Sequence, residues 1–220
     1  MDEYYFSRVR RDIEPLLPAS AQRILDVGAG VGATSAWLKS RYPGCTTVAF
    51  EGNAAIRDEL ASNADEAVIL DLNGPIPDAG APDLVLCLDV LEHLIDPLTV
   101  LQRVTGTMPN GGTVIVSVPN VAHASVSLPL LVQARFQYRD AGILDRTHLR
   151  FFDRNSALQL LNQAGFIVRR GIRLGFDGPR ARLIDAVTGG VLRDHLTKQF
   201  VIAGTRDASG KQGPVEWLTA

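Results

Sequence analysis

The chain carries four histidines, the side chains whose ordinary pKa best suits them to moving a proton near neutral pH. His148 closes the run Asp145-Arg146-Thr147-His148. An acid there can orient the imidazole and an arginine can grip an anion, so the run reads as a general base beside an anion site that includes Arg150. A second reading of His148, a hydrogen-bonding pin for its loop, fits the same residues. His93 shares the spacing i, i+3, i+4 with Asp89 and Glu92, which puts all three on one helical face. Such a trio can hold a divalent cation, yet it lacks the third nitrogen or sulfur ligand of a zinc site, and no metal is assigned. His123 joins His148 in bracketing a long connection and is a candidate for touching the substrate. His195 reads as surface or packing.

The stretch that must position these groups is residues 24–34, ILDVGAGVGAT. Ile24, Leu25 and Val27 make a short buried strand around Asp26, and the strand runs into a turn spaced by Gly28, Gly30 and Gly32. Apolar residues at helical spacing follow, so the segment reads strand, tight loop, helix. Glycine permits positive φ and lets a ligand lie against the backbone beside the unpaired N–H groups of a helix start. Gly28, Gly30 and Ala33 also satisfy the dinucleotide pattern G-x-G-x-x-G/A, with Glu51 downstream for a ribose, which keeps a nicotinamide-dependent oxidoreductase in view. Asp26 argues against it, because a nicotinamide-binding strand usually carries an apolar side chain there.

The string ILDVGAGVG resembles the first motif of class I S-adenosylmethionine-dependent methyltransferases. The resemblance implies that Asp26, Gly28, Ala29, Gly30 and Gly32 hold the aminoacyl end of that cofactor. It also implies that Glu51 with Gly52 meets the ribose, that Asp71 and Leu72 meet the adenine, and that Leu88, Asp89 and His93 border the cofactor at the end of a fourth strand. The strings PNVAH at 119–123 and DRTHLRFF at 145–152 resemble methyltransferases associated with cell-surface polysaccharide and sugar biosynthesis. An acid-x-x-Glu-His string like that of residues 89–93 occurs in quinone O-methyltransferases, where it binds metal, although a longer glutamate stands there in place of Asp89. The implied activity is methyl transfer to a small acceptor, with His148 or His93 as base and His123, Asp145, Arg146 and Arg150 around the acceptor. A quinone- or catechol-like acceptor with a divalent metal is the alternative.

The order of elements agrees with an α/β, Rossmann-like fold: a seven-stranded, mostly parallel sheet with helices on both faces and an antiparallel last strand. Strands are expected at 45–50, 67–70, 83–88, 113–120, 166–173 and 199–204, and helices at 53–62, 96–107, 155–164 and 183–196. Residues 1–205 read as one domain, with a lid helix within 1–19, an inserted acceptor-side segment at 119–153 and a mobile tail at 206–220. A connection as long as 119–153 is usually functional.

The composition is 46% hydrophobic, with no run near the roughly 20 apolar residues that span a bilayer. The N-terminal residues are charged throughout and lack an apolar leader core. Cys45 and Cys87 have no partner spacing and read as reduced thiols, so a cytoplasmic protein is expected. Residues 1–130 hold 8 Lys and Arg against 16 Asp and Glu, and residues 131–220 hold 14 against 8. The basic half suits an anionic acceptor such as a nucleotide-linked sugar, or simply differs in its solvated faces. A pI near 6.1 disfavours nucleic acid. Two other classes remain in view. One is a non-catalytic partner subunit, against which the intact Asp26, Gly28, Gly30, Glu51 and Asp71 argue. The other is a membrane contact through the apolar residues 121–132.

Overall fold

The computed structural model describes residues 8–176, 178–207 and 212–219. Five strands run parallel: β1 (Arg23–Val27), β2 (Thr46–Glu51), β3 (Glu66–Ile69), β4 (Leu84–Leu88) and β5 (Thr113–Pro119). Beyond β5 lie β6 (Phe166–Leu174), β7 (Gln199–Arg206) and β8 (Glu216–Thr219), giving one sheet in the order β3-β2-β1-β4-β5-β7-β6-β8. β7 is antiparallel to both its neighbours, as expected. It is not the last strand, however, and the sheet has eight strands where seven were expected.

Side chains alternate across the sheet, so successive residues of one strand serve opposite cores. Leu25, Val85, Cys87, Val114 and Val116 join Leu101 of α3 (Pro97–Val104) and Leu161 of α5 (Arg154–Gln163) on one face. Ile24, Leu84, Leu86 and Ile115 join Trp37 and Leu38 of α1 (Ala33–Arg41) on the other. Burial on both faces explains why β4 reads as an unbroken apolar run, and each such leucine contributes about 1.5–3 kcal/mol. Leu60 of α2 (Arg57–Asn63) packs with Ala49 in a smaller cluster. Local signals set the helix starts. Asp96 accepts from Thr99 N (3.1 Å) ahead of Pro97, and Asp153 with Ser156 forms a reciprocal capping box.

Four expectations change. The N-terminal segment is not an α-helix where it is described: Arg11–Leu16 forms a 3-10 turn containing Pro15, which has no N–H to give to an α-helix, and residues 1–7 lie outside the described residues. Ile13 and Leu16 anchor that turn in the core. The helix expected over 183–196 divides into α6 (Pro179–Val187) and α7 (Arg193–Leu196), because Gly189 and Gly190 take φ of 59° and 84°. The connection 119–153 contains a helix, α4 (Ala124–Gln133), before an irregular stretch.

The tail, expected to be mobile, instead returns to the sheet. Glu216–Thr219 pairs in parallel with residues 170–173 of β6, setting Trp217 opposite Gly171. A Cβ on Gly171 would stand 2.6 Å from the Trp217 ring, so the indole occupies the space that glycine leaves. Phe200 packs edge-on against the indole with ring centroids 5.4 Å apart, and Arg173 lies over the ring at 4.5 Å from its centroid. Trp217→Ala is expected to cost about 2 kcal/mol, read as a lowered denaturant midpoint with an unchanged slope. An unchanged midpoint would mean that β8 contributes nothing to stability.

Candidate active site

The carboxyl ends of β1, β2, β3 and β4 surround a cavity of about 750 Å³, within the range of small-molecule sites. Its floor is the glycine turn. Gly28 and Gly30 have φ of 71° and 57°, and a Cβ on Gly28 would come within 2.2 Å of Val90 Cγ2. No side chain fits there, and this close approach holds the turn open beside the cavity. Gly28 N and Ala29 N donate to the Phe50 carbonyl (2.8 and 3.1 Å), joining the turn to the end of β2. Gly30 N donates to Glu51 Oε2 (2.9 Å) and Asn53 N to Glu51 Oε1 (2.8 Å), so one carboxylate spans both loops.

Asp26 is 3% exposed and accepts from Ser35 Oγ at 2.7 Å. Burial pushes its pKa from the ordinary 3.8 up to about 6, the Ser35 bond opposes the rise and the nearby Glu51 adds to it. At the end of β4, Asp89 adopts φ 59°, a left-handed conformation that Asp tolerates better than most residues. Its carboxylate accepts from Arg10 Nη1 (2.7 Å), from Ser117 Oγ (2.7 Å) and from Gln199. Arg10 also pairs with Asp12 at 2.8 Å, while its backbone N–H donates to Thr34 Oγ1 at 3.2 Å. The N-terminal segment is thereby strapped across the cavity.

Of the residues expected to meet a cofactor, Asp26, Gly28, Ala29, Gly30, Glu51, Gly52, Asp71, Leu72, Leu88, Asp89 and His93 all line the cavity. Gly32 does not. It stands before α1 at φ 79°, where a Cβ would press on Asn63 of α2 at 2.9 Å, so it is a packing glycine. Arg8, Arg10, Thr34, Asn53, Val90 and Leu94 line the cavity without having been singled out. Val90 follows directly on Asp89 and was within reach of the sequence, whereas the arrival of Arg10 beside it is a long-range event with no local signal.

The inserted segment departs further from expectation. None of its described residues lines the cavity, and among its contacts with the site's edge His148 packs on His93, ring centroids 4.8 Å apart. His148 is 8% exposed, with Nδ1 at 3.0 Å from the Ile143 carbonyl, so a backbone oxygen orients the imidazole in place of the expected Asp145. Asp145 instead accepts from Thr147 N (2.8 Å) and Thr147 Oγ1 (2.7 Å) and caps its own turn. Arg146 pairs with Asp140 at 2.8 Å with 66% of its side chain exposed, and Arg150 donates to the Ile95 carbonyl (3.0 Å). His123 is the N-cap of α4, its Nδ1 accepting from Ser125 N (3.1 Å). Asp89 does not share a face with Glu92 and His93, because the chain turns at Asp89 and enters a 3-10 turn at Leu91–His93.

Glu92 and His93 lie at the junction between the cavity and the insert. The Glu92 carbonyl accepts from Leu149 N (2.8 Å) and Arg150 N (3.0 Å), which nails the insert to the end of β4. The Glu92 carboxyl is 1% exposed, and burial, then Asp89, raises its pKa well above the carboxylate range. His93 Nδ1 faces the Thr147 carbonyl at 3.2 Å, and burial, then His148, lowers its pKa.

Residues 1–170 match the family model described as "Methyltransferase domain". The chain belongs to this methyltransferase family. Among curated relatives it is similar to the precorrin-6Y C(5,15)-methyltransferase [decarboxylating] of Mycobacterium tuberculosis, 33% identical over 112 residues, covering 48% of this chain and 27% of that one. It is also similar to the trans-aconitate 2-methyltransferase of Deinococcus radiodurans, 25% identical over 210 residues, covering 94% and 72%. The chain spans less than half the length of the first curated relatives it matches. A solved structure of an S-adenosylmethionine-dependent methyltransferase from Mesorhizobium loti shares the fold, with a TM-score of 0.61 and 15% identity over 89% of this chain and 96% of the other. S-adenosylmethionine is the cofactor of this methyltransferase family. The site suits it: the cavity has the volume, Gly28 leaves bare backbone, and a buried carboxylate awaits a cation. Among the described residues no helix is long and apolar enough to cross a membrane.

The raised pKa of Asp26 has a consequence for stability. The folded methyltransferase holds this proton up to about pH 6 while the unfolded chain releases it near 3.8. The site is therefore most favourable below about pH 4 and loses stability as pH rises through 6, by about 3 kcal/mol in all. Asp26→Asn should reduce the slope of stability on pH in urea unfolding between pH 4 and 7 without cofactor, leaving the part that the buried Glu92 contributes. An identical slope in the variant would assign it to another group.

Proposed function

We propose that the protein transfers the methyl group of S-adenosylmethionine to a hydroxyl or amine of a small anionic acceptor, a sugar or nucleotide-linked sugar, in the cytoplasm. The observation that carries this reading is the junction of the cavity with the His93 and His148 pair. It puts one imidazole, His93, in the wall of a cofactor-sized cavity, with a second, His148, packed against it. Bound in the cavity, S-adenosylmethionine supplies an electrophilic methyl group on a sulfonium.

In this reading Asp26, Gly28, Ala29 and Gly30 hold the aminoacyl end, Glu51 and Gly52 the ribose, and Asp71 with Leu72 the adenine. Leu88 and Asp89 close the floor of the cavity. The chain's main contribution is orientation, which can supply on the order of 7 to 11 kcal/mol. A hydroxyl acceptor must also lose its proton, and the ring nitrogens of His93 and His148 that face away from the Thr147 and Ile143 carbonyls can accept it. Arg8, exposed and at the cavity lining, takes the anion-gripping role expected of Arg146 and Arg150. The free thiols Cys45 and Cys87 support a reducing compartment.

Glu51→Ala is expected to weaken cofactor binding by roughly 1.5 to 3 kcal/mol in calorimetry, since the variant loses a charge-assisted acceptor. An unchanged affinity would refute the ribose assignment. His148→Ala should lower turnover roughly 10²-fold while leaving cofactor affinity intact. Full turnover in that variant, with an identified acceptor, would leave His148 as a loop pin. Asp26 must be charged to meet the cofactor's ammonium group, so affinity should fall about tenfold per pH unit below about pH 6. A flat profile from pH 7.5 to 5 would remove Asp26 from that role.

A further inference from the structure

We propose that Glu92, His93 and His148 form a binding site for one divalent first-row transition-metal ion. A carboxylate oxygen of Glu92 and one ring nitrogen from each histidine lie within 4.8 Å of one another. The three come from two separate parts of the chain, and the contacts of the Glu92 carbonyl with Leu149 N and Arg150 N hold those parts together.

The second observation is an orphan. Glu92 is 1% exposed and its Oε2 has no hydrogen-bond partner, the single buried side-chain nitrogen or oxygen in that state among the described residues. Buried polar atoms are almost always partnered, so an unpartnered oxygen on the carboxyl group that neighbours two imidazoles asks for a partner, and a cation would supply one. The third is the orientation of the rings. Nδ1 of His93 and of His148 each faces a backbone carbonyl, at 3.2 and 3.0 Å. A carbonyl can only accept, so Nδ1 carries the proton in both and Nε2 keeps a bare lone pair. Metal-binding histidines show this arrangement, the far N–H donating to a carbonyl that fixes the tautomer and the ring.

The donor set selects the ion. Two imidazoles and one carboxylate suit zinc, manganese, iron or cobalt, whereas magnesium and calcium take oxygen ligands. With bonds of about 2.1 Å, adjacent ligand atoms stand about 3.0 to 3.4 Å apart, so the triangle must draw in by about 1.5 Å at its widest. His93 is half-buried and borders the cavity, which gives it room to move, and an ion held by it would lie at the cavity wall. Asp89 is not a ligand: Arg10, Ser117 and Gln199 already occupy its carboxylate. The site thus differs from the Asp89, Glu92 and His93 trio weighed from spacing, with His148 supplying the third ligand.

Ion binding stands independently of the methyl-transfer reading; only the use made of the ion rests on that reading. With the ion bound, an acceptor hydroxyl in an open coordination position would lose its proton to solvent more readily, the two imidazoles then acting as ligands and no longer as proton acceptors. The test is titration of chelator-stripped protein with Co²⁺, followed by its visible ligand-field bands, and with Zn²⁺ and Mg²⁺ by calorimetry. One equivalent of Zn²⁺ should bind, Co²⁺ should give the intense bands of a four- or five-coordinate ion, and Mg²⁺ should bind far more weakly. Glu92→Gln and His148→Asn, the second of which keeps a donor for the Ile143 carbonyl, should each weaken Zn²⁺ binding roughly tenfold or more. Binding of S-adenosylhomocysteine should be unchanged in both and serves as the control for folding. Absence of saturable Zn²⁺ binding by the parent protein, binding undiminished in both variants, or Mg²⁺ binding as tight as Zn²⁺ would overturn the proposal. The parent Co²⁺ spectrum decides the matter even where a variant does not fold. Failure of the parent protein to bind S-adenosylhomocysteine would instead count against the methyltransferase reading alone.

Discussion

A carboxylate held nearly out of water at the end of β1 is the interaction on which the site depends. Asp26 stays buried because Ser35, in the first turn of α1, reaches back to it at 2.7 Å. That reach requires α1 to begin immediately beyond the glycine turn. The turn in turn requires Gly28, whose missing Cβ lets Val90 approach and brings the ends of β1 and β4 together. Glu51 then closes the same turn from β2 through Gly30 N. Three strand ends are tied by short polar contacts and by the packing of Val90 on Gly28 around one costly charge, and the cavity is what these contacts leave open.

What the sequence revealed follows the range of the interactions involved. Strand, glycine turn and helix at 24–34 lie within eleven residues, and the acids at Glu51 and Asp71 close strands whose apolar runs are visible, so fold and cavity could be read locally. The partners of the loop residues could not be read in this way. Asp145 stands near His148 in sequence, yet a backbone carbonyl orients that ring, and carbonyls leave no trace in residue identity. Arg10 reaches Asp89 across 79 residues. His123, two residues before Ser125, is an exception: its capping position resembles other side-chain acceptors before a helix and was open to local reasoning.

The inserted segment owes its position to two anchors. Asn120 is fully buried at its start, donating from Nδ2 to the carbonyls of Asp194 and Thr197, both at 2.7 Å, and accepting from Ala122 N at 3.0 Å. The Glu92 carbonyl holds the far end. Between these anchors the chain follows no regular sheet pairing. Its basic residues face solvent while His148 is turned inward with Val126 and Leu144, so sequence charge in this region described the surface.

β8 has a consequence for association as well as for stability. Without it, the nine residues of β6 would form the border of the sheet, with a row of unpaired N–H and C=O groups able to accept a strand from another molecule. The four residues Glu216–Thr219 cover part of that border with a strand too short to template much further pairing. The carboxyl-terminal strand therefore works as an edge guard, trading a long adhesive border for a short one that carries a charged glutamate.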